Sequence, residues 1–396
     1  MTGGGPGGAA GPPRHVYVHV PFCARRCSYC DFAIAVRRDT PVAEYVDGIR
    51  RELMLRMPRR TVDQTTCVAD TVYLGGGTPS RLGAGGITAL LDVLRERIQV
   101  APGAEVTLEA NPDDITPAAV GAWVAAGVNR LSLGAQSFDD EVLRWMHRTH
   151  TARDIAQSVE TLRDGGIGSI SLDLIFALPA QLGRDWDRDI GAALALAPGH
   201  LSLYGLTIED HTPLAHWVGR GEAREAPEGE FEAEFLRAHD IAVSAGYQHY
   251  EVSNFARAGS ASRHNSAYWS GAGYLGLGPA AHGYDGAVRR WNIAPYAEWL
   301  RCVRDGRDPI AGSEDLTETN IVTERLYLQL RTATGMVIPT DHRSVVEAWS
   351  HVGWAILQGD RFRLTPLGWL RMDALVAELD IASKSLLGLD LWRCHN

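Results

Sequence analysis

The sequence predicts an α/β fold: an incomplete (βα)6 barrel, then an α+β region that ends in a small helical, winged-helix-like domain. Two observations predict it. First, between residue 16 and about residue 208, short strand-like runs alternate with stretches of helical period, which is typical of right-handed βαβ units around a parallel sheet. Second, the residues least typical of a core directly follow the strands, and a parallel barrel places its chemistry at that edge.

Six short segments rich in apolar and β-branched residues predict the barrel strands. They are VYVHV (16–20), DTVYLGG (70–76), AEVTLEA (104–110), VNRLSLGAQ (128–136), GSISLDLIF (168–176) and HLSLYGL (200–206). The stretch 40–57 has helical period, and we expect it to start with Thr40 as N-cap and Pro41 at the first helical position. The stretch 116–127 repeats this Thr-Pro start and closes on a glycine, which suits a helix C-terminus.

The chain divides into four predicted segments. A Gly/Pro-rich tail over 1–13 is expected to be disordered, the barrel covers 14–208, an extension covers 209–315, and a small helical domain with one short β element covers 316–396. Within the extension, 229–247 reads as an amphipathic helix that leads into a strand over HYEVSNFA (249–256).

Composition excludes several classes of function. The net charge is −10, from 38 basic and 48 acidic residues. An acidic chain repels nucleic-acid phosphates, so we do not expect nucleic-acid binding even though a winged-helix-like domain is predicted. The sequence shows neither the ~20-residue apolar run of a membrane span nor a basic, apolar signal peptide. We therefore expect a cytoplasmic protein, with peripheral attachment at the inner face of a membrane as the further option.

Three of the six cysteines lie within eight positions, in HVPFCARRCSYCDF (19–32). Cys23, Cys27 and Cys30 have CxxxCxxC spacing, which is not a secreted disulfide framework. Three ligands leave one coordination position open, so the loop predicts a [4Fe–4S] cluster with one exchangeable iron. The alternatives are a zinc site closed by His19 or unliganded core cysteines. We expect the remaining cysteines to be ordinary thiols: Cys67, Cys302 and Cys394.

The loop after the second predicted strand, GGGTPS (75–80), places three glycines in a row. Consecutive glycines allow backbone conformations closed to other residues and let main-chain groups approach a ligand. Taken alone the string also describes a tight strand-to-helix turn. Beside a three-cysteine loop in the same barrel, it favours a ligand-binding loop.

Together these motifs resemble the radical S-adenosylmethionine (SAM) family, in which CxxxCxxC holds the cluster and a glycine-rich stretch contacts SAM. The resemblance implies that the open iron binds the amino and carboxylate groups of SAM and that the cluster cleaves SAM reductively. Within that family the chain resembles the branch that contains oxygen-independent coproporphyrinogen III oxidase (HemN) and the heme chaperone HemW. The strings that carry it, over roughly 14–285, are YVHVPFC, GGGTPS, LEANPDD, LSLGAQSF, LDLIFALP, YEVSNFAR and SRHNSAYW.

The resemblance also implies the site residues. Cys23, Cys27 and Cys30 match the cluster ligands. The positions that match SAM contacts are Tyr17, Tyr29, Gly76, Gly77, Thr78, Glu109, Gln136, Arg148, Asp173 and Thr207. Two of them also have a purely structural explanation: Arg148 as a surface helix residue, and Gln136 as a cap at a strand end. Glu109 and Asp173 would be costly to bury at strand ends without partners.

Two features distinguish the chaperone from the oxidase. The oxidase motif continues to a fourth cysteine two residues after the third, whereas this chain has Phe32 there. The string HNSAYW (264–269) resembles the HNxxYW element of the chaperone. A histidine beside an aromatic pair suits an iron porphyrin, so His264 is the heme candidate; a hydrogen-bonded core histidine is the other reading. His249 and His282 are lesser candidates.

The expected function is therefore a heme chaperone that binds a [4Fe–4S] cluster, SAM and heme. Its partner would be a heme-accepting protein, for example a membrane respiratory enzyme, and not nucleic acid. The alternative is an oxygen-independent coproporphyrinogen III oxidase, an enzyme that decarboxylates its substrate oxidatively. The absence of a fourth cysteine argues against that alternative.

Overall fold

The computed structural model describes residues 13–57, 67–338 and 342–379, so nearly all of the predicted tail and Cys394 lie outside the described residues. The strands are β1 His15–Val20, β2 Phe22–Cys23, β3 Ala35–Val36, β4 Cys67–Gly76, β5 Ile98–Ala110, β6 Arg130–Gln136, β7 Ser169–Phe176, β8 His200–Gly205, β9 Gln248–Glu251, β10 Asn254–Ala256, β11 Tyr274–Leu277, β12 His282–Tyr284, β13 Val288–Asn292, β14 Ile310–Asp315, β15 Met336–Val337, β16 Ala355–Gln358 and β17 Arg361–Leu364.

The helices alternate with the strands through the first half of the chain. They are α1 Val42–Arg56, α2 Gly83–Arg95, α3 Pro117–Ala125, α4 Asp140–Trp145, α5 Ala152–Asp164, α6 Trp186–Ala195, α7 Pro213–Gly219, α8 Glu228–Ser244, α9 Arg263–Trp269, α10 Tyr296–Arg304, α11 Glu318–Leu330, α12 Arg343–His351, α13 Pro366–Trp369 and α14 Met372–Leu379. None of the helices in the described ranges has the length and apolarity needed to cross a membrane.

The predicted α/β fold with a parallel barrel sheet is confirmed. All six predicted strands form, and β1, β4, β5, β6, β7 and β8 are neighbours in this order, each pair parallel. Strands β11 to β14 extend the sheet beyond β1, and β10 and β9 extend it beyond β8, to 12 strands. Among the described strands β1 and β8 do not pair, so the barrel is incomplete, as predicted.

The two faces of the barrel strands differ in chemistry. In β1, Val16 and Val18 are fully buried and belong to the same apolar core as Leu90 of α2. Tyr17 and His19 alternate with them and therefore point to the opposite face. The other barrel strands repeat this alternation, so the helices cover an apolar face and the interior of the barrel is lined by polar side chains.

Three local predictions were wrong. Helix α1 has Pro41 rather than Thr40 at its N-cap, because Pro41 has ψ 66° and the helical conformation starts only at Val42. The predicted strand over 249–256 is a tight antiparallel hairpin of β9 and β10. The C-terminal region contains a three-stranded sheet, in the order β15-β17-β16, rather than one short β element, because Gly359 with φ 66° turns the chain between β16 and β17.

Candidate functional site

The cysteine loop is fixed to the barrel by main-chain hydrogen bonds. Cys23 ends β2 with its side chain buried, and the chain then leaves the sheet. Ser28 lies between two neighbouring segments: its N–H donates to Met146 O (3.4 Å) and its C=O accepts from Leu214 N (2.8 Å). Tyr29 packs against a small apolar core that contains Leu214. The loop is therefore held from both sides.

Each of the three thiols has a hydrogen-bond donor beside it. Thr78 Oγ1 lies 3.5 Å from Cys23 Sγ, and Arg148 Nη1 donates to Cys27 Sγ at 3.6 Å. Burial raises the pKa of Cys23, and it raises that of Cys30 to about 12; the backbone N–H of Phe32 bonds the Cys30 thiol and acts in the opposite direction. The main chain at Phe32 therefore contributes a donor beside the Cys30 thiol.

This donor set fits an iron–sulfur cluster. In such a cluster each cysteine binds a different iron, and N–H groups beside the sulfurs help to set the potential. A single metal ion needs its ligands gathered around one point, and within the described ranges no group of three or more His, Cys, Asp or Glu is placed in that way. His19, the zinc alternative, has one ring nitrogen 3.1 Å from Tyr17 Oη and the other 3.0 Å from Ala33 O.

The glycine loop passes so close to the cysteine loop that side chains do not fit. Gly76 has φ 114°, and a Cβ there would lie 2.7 Å from the His19 ring. A Cβ on Gly77 would lie 2.8 Å from the backbone of Pro21 and 3.0 Å from Cys23 Sγ. Real Cβ contacts are longer than this, so Gly76 is required by the approach of β4 to β1, and Gly77, the next residue, by its approach to Pro21 and Cys23.

Glu109 stands beside the glycine loop with both carboxylate oxygens occupied. Oε1 accepts from Tyr73 Oη at 2.8 Å, and Oε2 accepts from Gly76 N at 2.9 Å. The pKa of this carboxyl is raised to about 7: burial is the largest cause, the nearby Asp173 acts in the same direction, and the two hydrogen bonds act against both. The side chain can therefore change its protonation near neutral pH.

Asp173 is the second buried carboxyl in the barrel. It accepts from Ser132 Oγ at 2.9 Å and from Ser171 Oγ at 3.1 Å. Burial raises its pKa, and these hydroxyls lower it. The cost of burial expected for Glu109 and Asp173 is thus offset by hydrogen bonds.

Arg148 joins the cysteine loop to the ends of two further strands. Besides its contact with Cys27, its Nη2 donates to Asn111 Oδ1 (2.5 Å) and to Gly134 O (2.9 Å). The alternative prediction, that Arg148 is a surface helix residue, is therefore wrong. Gln136 has φ 69°, and its Nε2 would lie 2.8 Å from a Cβ placed on Gly134. The polar groups of Gln136 and Arg148 thus meet above Gly134.

Thr207 differs from the other predicted contacts. It is exposed and lies two residues beyond the end of β8. Its role in binding SAM stays a prediction.

His264 is almost fully buried, with 1% of its surface exposed. Its Nδ1 lies 2.7 Å from Thr71 Oγ1 and its Nε2 lies 2.8 Å from Tyr268 Oη. Burial lowers the pKa of the ring to about 3. Both ring nitrogens thus have hydrogen-bond partners in this conformation, as expected for a core histidine. The role of His264 as heme ligand stays a prediction.

The two lesser histidines lie apart. His249 stacks on Phe255 at 3.8 Å between ring centroids, and its Nε2 lies 3.0 Å from Val252 O. His282 is exposed and stacks on Trp291 at 6.1 Å.

Several polar groups of the site were missed by the sequence analysis. They are Thr71, Tyr73, Asn111, Ser132, Ser171, Ser202 and Tyr204. A signal was present, because the barrel strands carry polar residues at every second position, as HLSLYG (200–205) shows. Period-two polarity inside a parallel barrel marks the residues that face its interior.

The chain is also similar to several known proteins. Residues 17–191 match the family profile of the Radical SAM superfamily. The chain is 37% identical over 379 residues to the heme chaperone HemW of Mycobacterium tuberculosis, which covers 93% of this chain and 95% of that protein. It is 34% identical to the heme chaperone HemW of Bacillus subtilis, over 82% of this chain and 84% of that one.

A eukaryotic relative and a solved structure are also similar. The mitochondrial radical S-adenosyl methionine domain-containing protein 1 of Bos taurus is 36% identical, over 85% of this chain and 77% of that protein. The structure of coproporphyrinogen III oxidase (HemN) from Escherichia coli superposes with a TM-score of 0.78 over 94% of this chain and 92% of that one, at 22% identity. At that identity the likeness supports the fold alone.

Proposed function

The chain belongs to the heme chaperone HemW family within the radical SAM superfamily, and on that premise we propose that it binds a [4Fe–4S] cluster, SAM and heme and delivers heme to an acceptor protein. One observation carries the proposal of heme delivery: the match to a protein named as a heme chaperone extends over 95% of that protein's length. The site geometry supports the two cofactors.

The proposed cluster ligands are Cys23, Cys27 and Cys30. Burial favours the neutral thiol of Cys23 and of Cys30, so metal binding must supply the positive charge that stabilises the thiolates. Arg148 adds a fixed cation beside Cys27. When bound, the cluster supplies an electron to the sulfonium of SAM.

The proposed SAM site lies between the glycine loop and Glu109. Gly76 and Gly77 are the proposed main-chain contacts, and their N–H groups are themselves bonded to Glu109 Oε2 and to Val20 O. Glu109 and Asp173 offer carboxylate acceptors for hydroxyl groups, and Arg148 offers a donor for a carboxylate. The remaining predicted contacts, including Tyr17, Tyr29 and Thr207, keep their proposed roles.

His264 is the proposed heme ligand. A histidine that binds a metal usually keeps a hydrogen bond on its other ring nitrogen, and Thr71 stands in that position beside Nδ1. Iron could reach Nε2 once the hydroxyl of Tyr268 moves away.

We propose that the protein acts in the cytoplasm and that its acceptor is a heme protein. Where that acceptor is membrane-bound, we propose peripheral contact at the inner membrane face.

A turnover assay tests the proposal against the oxidase activity. The protein is reconstituted anaerobically with iron and sulfide, then incubated with SAM, a reductant and coproporphyrinogen III. We expect no protoporphyrinogen IX and no 5′-deoxyadenosine that depends on the porphyrinogen. Formation of both products would make the protein an oxidase despite Phe32.

A further inference from the structure

One ring contact connects the HNSAYW helix to the proposed SAM site. The ring of His264, on α9, stacks on the ring of Tyr73, on β4, with 5.0 Å between centroids and 27° between planes. The hydroxyl of Tyr73 donates to Glu109 Oε1 at 2.8 Å. The other oxygen of Glu109 accepts from the backbone of Gly76. A continuous series of contacts thus runs from α9 to the glycine loop.

The His264 ring is fixed in three ways. Its two nitrogens lie at hydrogen-bond distance from Thr71 and Tyr268. Its backbone N–H donates to Glu105 Oε1 at 2.9 Å, so the start of α9 is attached to β5. The position of the ring is therefore set by β4, β5 and α9 together, before any ligand binds.

The strand register explains why these residues meet. Thr71 and Tyr73 are two residues apart on β4 and so face the same side, and Glu105 and Glu109 share a face of β5 in the same way. Thr71 pairs with Glu105 across the two strands. His264 packs on the first pair, and Tyr73 reaches along the sheet to Glu109. The hydroxyl of Tyr73 reaches Glu109 only while its ring keeps this orientation.

We propose that His264 is a positioning residue of the SAM site: its ring holds the ring of Tyr73, and Tyr73 in turn holds the carboxylate of Glu109. This inference rests on the proposed binding of SAM and adds to it a control of the SAM site by the HNSAYW helix. It gives the histidine a role that does not require heme. It also predicts that a ligand which moves the His264 ring changes the affinity for SAM, and reciprocally.

A double-mutant cycle on His264 and Tyr73 tests the proposal. The full chain is reconstituted with its cluster, and SAM affinity is measured by equilibrium dialysis for the wild type, His264→Leu, Tyr73→Phe and the double variant. Each single substitution should weaken SAM binding roughly 10- to 150-fold, as expected for one lost hydrogen bond to a charged group. Because both act on the same carboxylate, the double variant should bind within about twofold of the weaker single one.

Two further variants keep the test decisive. Tyr247→Phe removes a buried hydroxyl bond elsewhere, to Pro198 O, and should leave SAM affinity unchanged. If His264→Leu fails to fold, Tyr268→Phe removes only the partner of Nε2 and should still weaken SAM binding, by roughly 2- to 5-fold, with no further loss in the Tyr73→Phe background.

The possible results distinguish a failure of this inference from a failure of the proposed function on which it rests. If the reconstituted wild type does not bind SAM, the proposed function fails. If the wild type binds SAM but His264→Leu binds it equally well, or if the two substitutions weaken binding additively, the inference is wrong and the function stands. General damage to the fold would also appear as additive losses, together with a lower melting temperature and a lower cluster content.

Discussion

The Nη1 atom of Arg148 lies 3.6 Å from Sγ of Cys27, a residue 121 positions earlier in the chain. The same guanidinium donates to Asn111 and to the backbone of Gly134. One side chain thus ties the cysteine loop to the ends of β5 and β6.

Replacing this guanidinium should weaken the cluster site. Arg148→Ala leaves the acceptors on Asn111 and Gly134 unpaired and removes the cation beside Cys27, at a cost of about 1–3 kcal/mol. We expect less iron and sulfide per chain after reconstitution, and SAM affinity at least roughly tenfold lower. Arg144→Ala is the matched control, because the side chain of Arg144 is exposed and its guanidinium lies 4.0 Å from Glu141. Equal cluster content in the two variants would refute the assigned role.

A single added methyl group at Gly77 should block cluster assembly. In Gly77→Ala the new Cβ would lie 2.8 Å from the backbone of Pro21, which cannot rotate away, and 3.0 Å from Cys23 Sγ. We expect the iron and sulfide content to fall by more than half. Gly85→Ala is the control, since its Cβ on α2 would meet nothing within 4 Å and alanine favours a helix. Full cluster content in Gly77→Ala would show that the glycine loop and the cysteine loop can separate at no cost.

SAM binding should depend on pH through Glu109. Burial raises the pKa of this carboxyl to about 7, so the acceptor is ionised above that pH and protonated below it. If SAM hydroxyls bind the ionised form, the affinity is full above pH 8 and falls by about tenfold per unit below pH 7. The pKa of His19 is about 4 and that of His264 about 3, so both rings stay neutral throughout.

The amino group of SAM titrates in a similar range, so the decisive comparison is with Glu109→Gln. This variant should lose affinity at pH 8 and show a flatter profile between pH 6 and 8. Asp173→Asn, which removes a nearby charge that raises the pKa of Glu109, should keep an inflection and move it to lower pH. An inflection that is unchanged in Glu109→Gln would assign it to another group.

The extension 209–315 should contribute to the stability of the barrel through Glu52. This α1 carboxylate is fully buried, and it accepts hydrogen bonds from Gly278 N (2.8 Å), Asn292 Nδ2 (2.7 Å) and Trp299 Nε1 (3.0 Å). Glu52→Leu leaves these donors unpaired and should lower the free energy of unfolding by about 3–5 kcal/mol, measured by urea denaturation. Glu96→Leu, on the exposed side of the barrel helices, should change it by less than about 1 kcal/mol. Equal changes would mean that the extension folds independently of α1.

The barrel could be predicted from the sequence because local and long-range signals agree there. Each strand is a short segment rich in apolar and β-branched residues, and the first five are followed by loops of unusual composition, so the order of elements and the edge that carries the site followed directly. The hairpin of β9 and β10 was missed because its turn, at Val252 and Ser253, contains neither glycine nor proline. The N-cap of α1 was misplaced by one residue, which is a normal error at a helix end.

The sequence predicted the candidate ligands of the site, but it did not predict the hydrogen-bond network around them. The three cysteines and the glycine loop are continuous motifs, whereas Arg148 reaches Cys27 across 121 positions and Glu109 reaches Tyr73 across 36. Contacts of that kind depend on strand register, which the sequence does not state. The alternation of Thr71 and Tyr73 with apolar residues in DTVYLGG (70–76), and of the polar residues in HLSLYG, would have pointed to Tyr73 and Tyr204 as interior residues.

The most direct test of the central claim is an anaerobic hemin titration of the cluster-loaded protein, followed by visible absorption, with the wild type and His264→Ala measured side by side. The account predicts one hemin per chain for the wild type, and weaker binding with an unchanged cluster for the variant. Failure of the wild type to bind hemin at a defined stoichiometry, with its cluster intact, would contradict the claim that this protein carries heme.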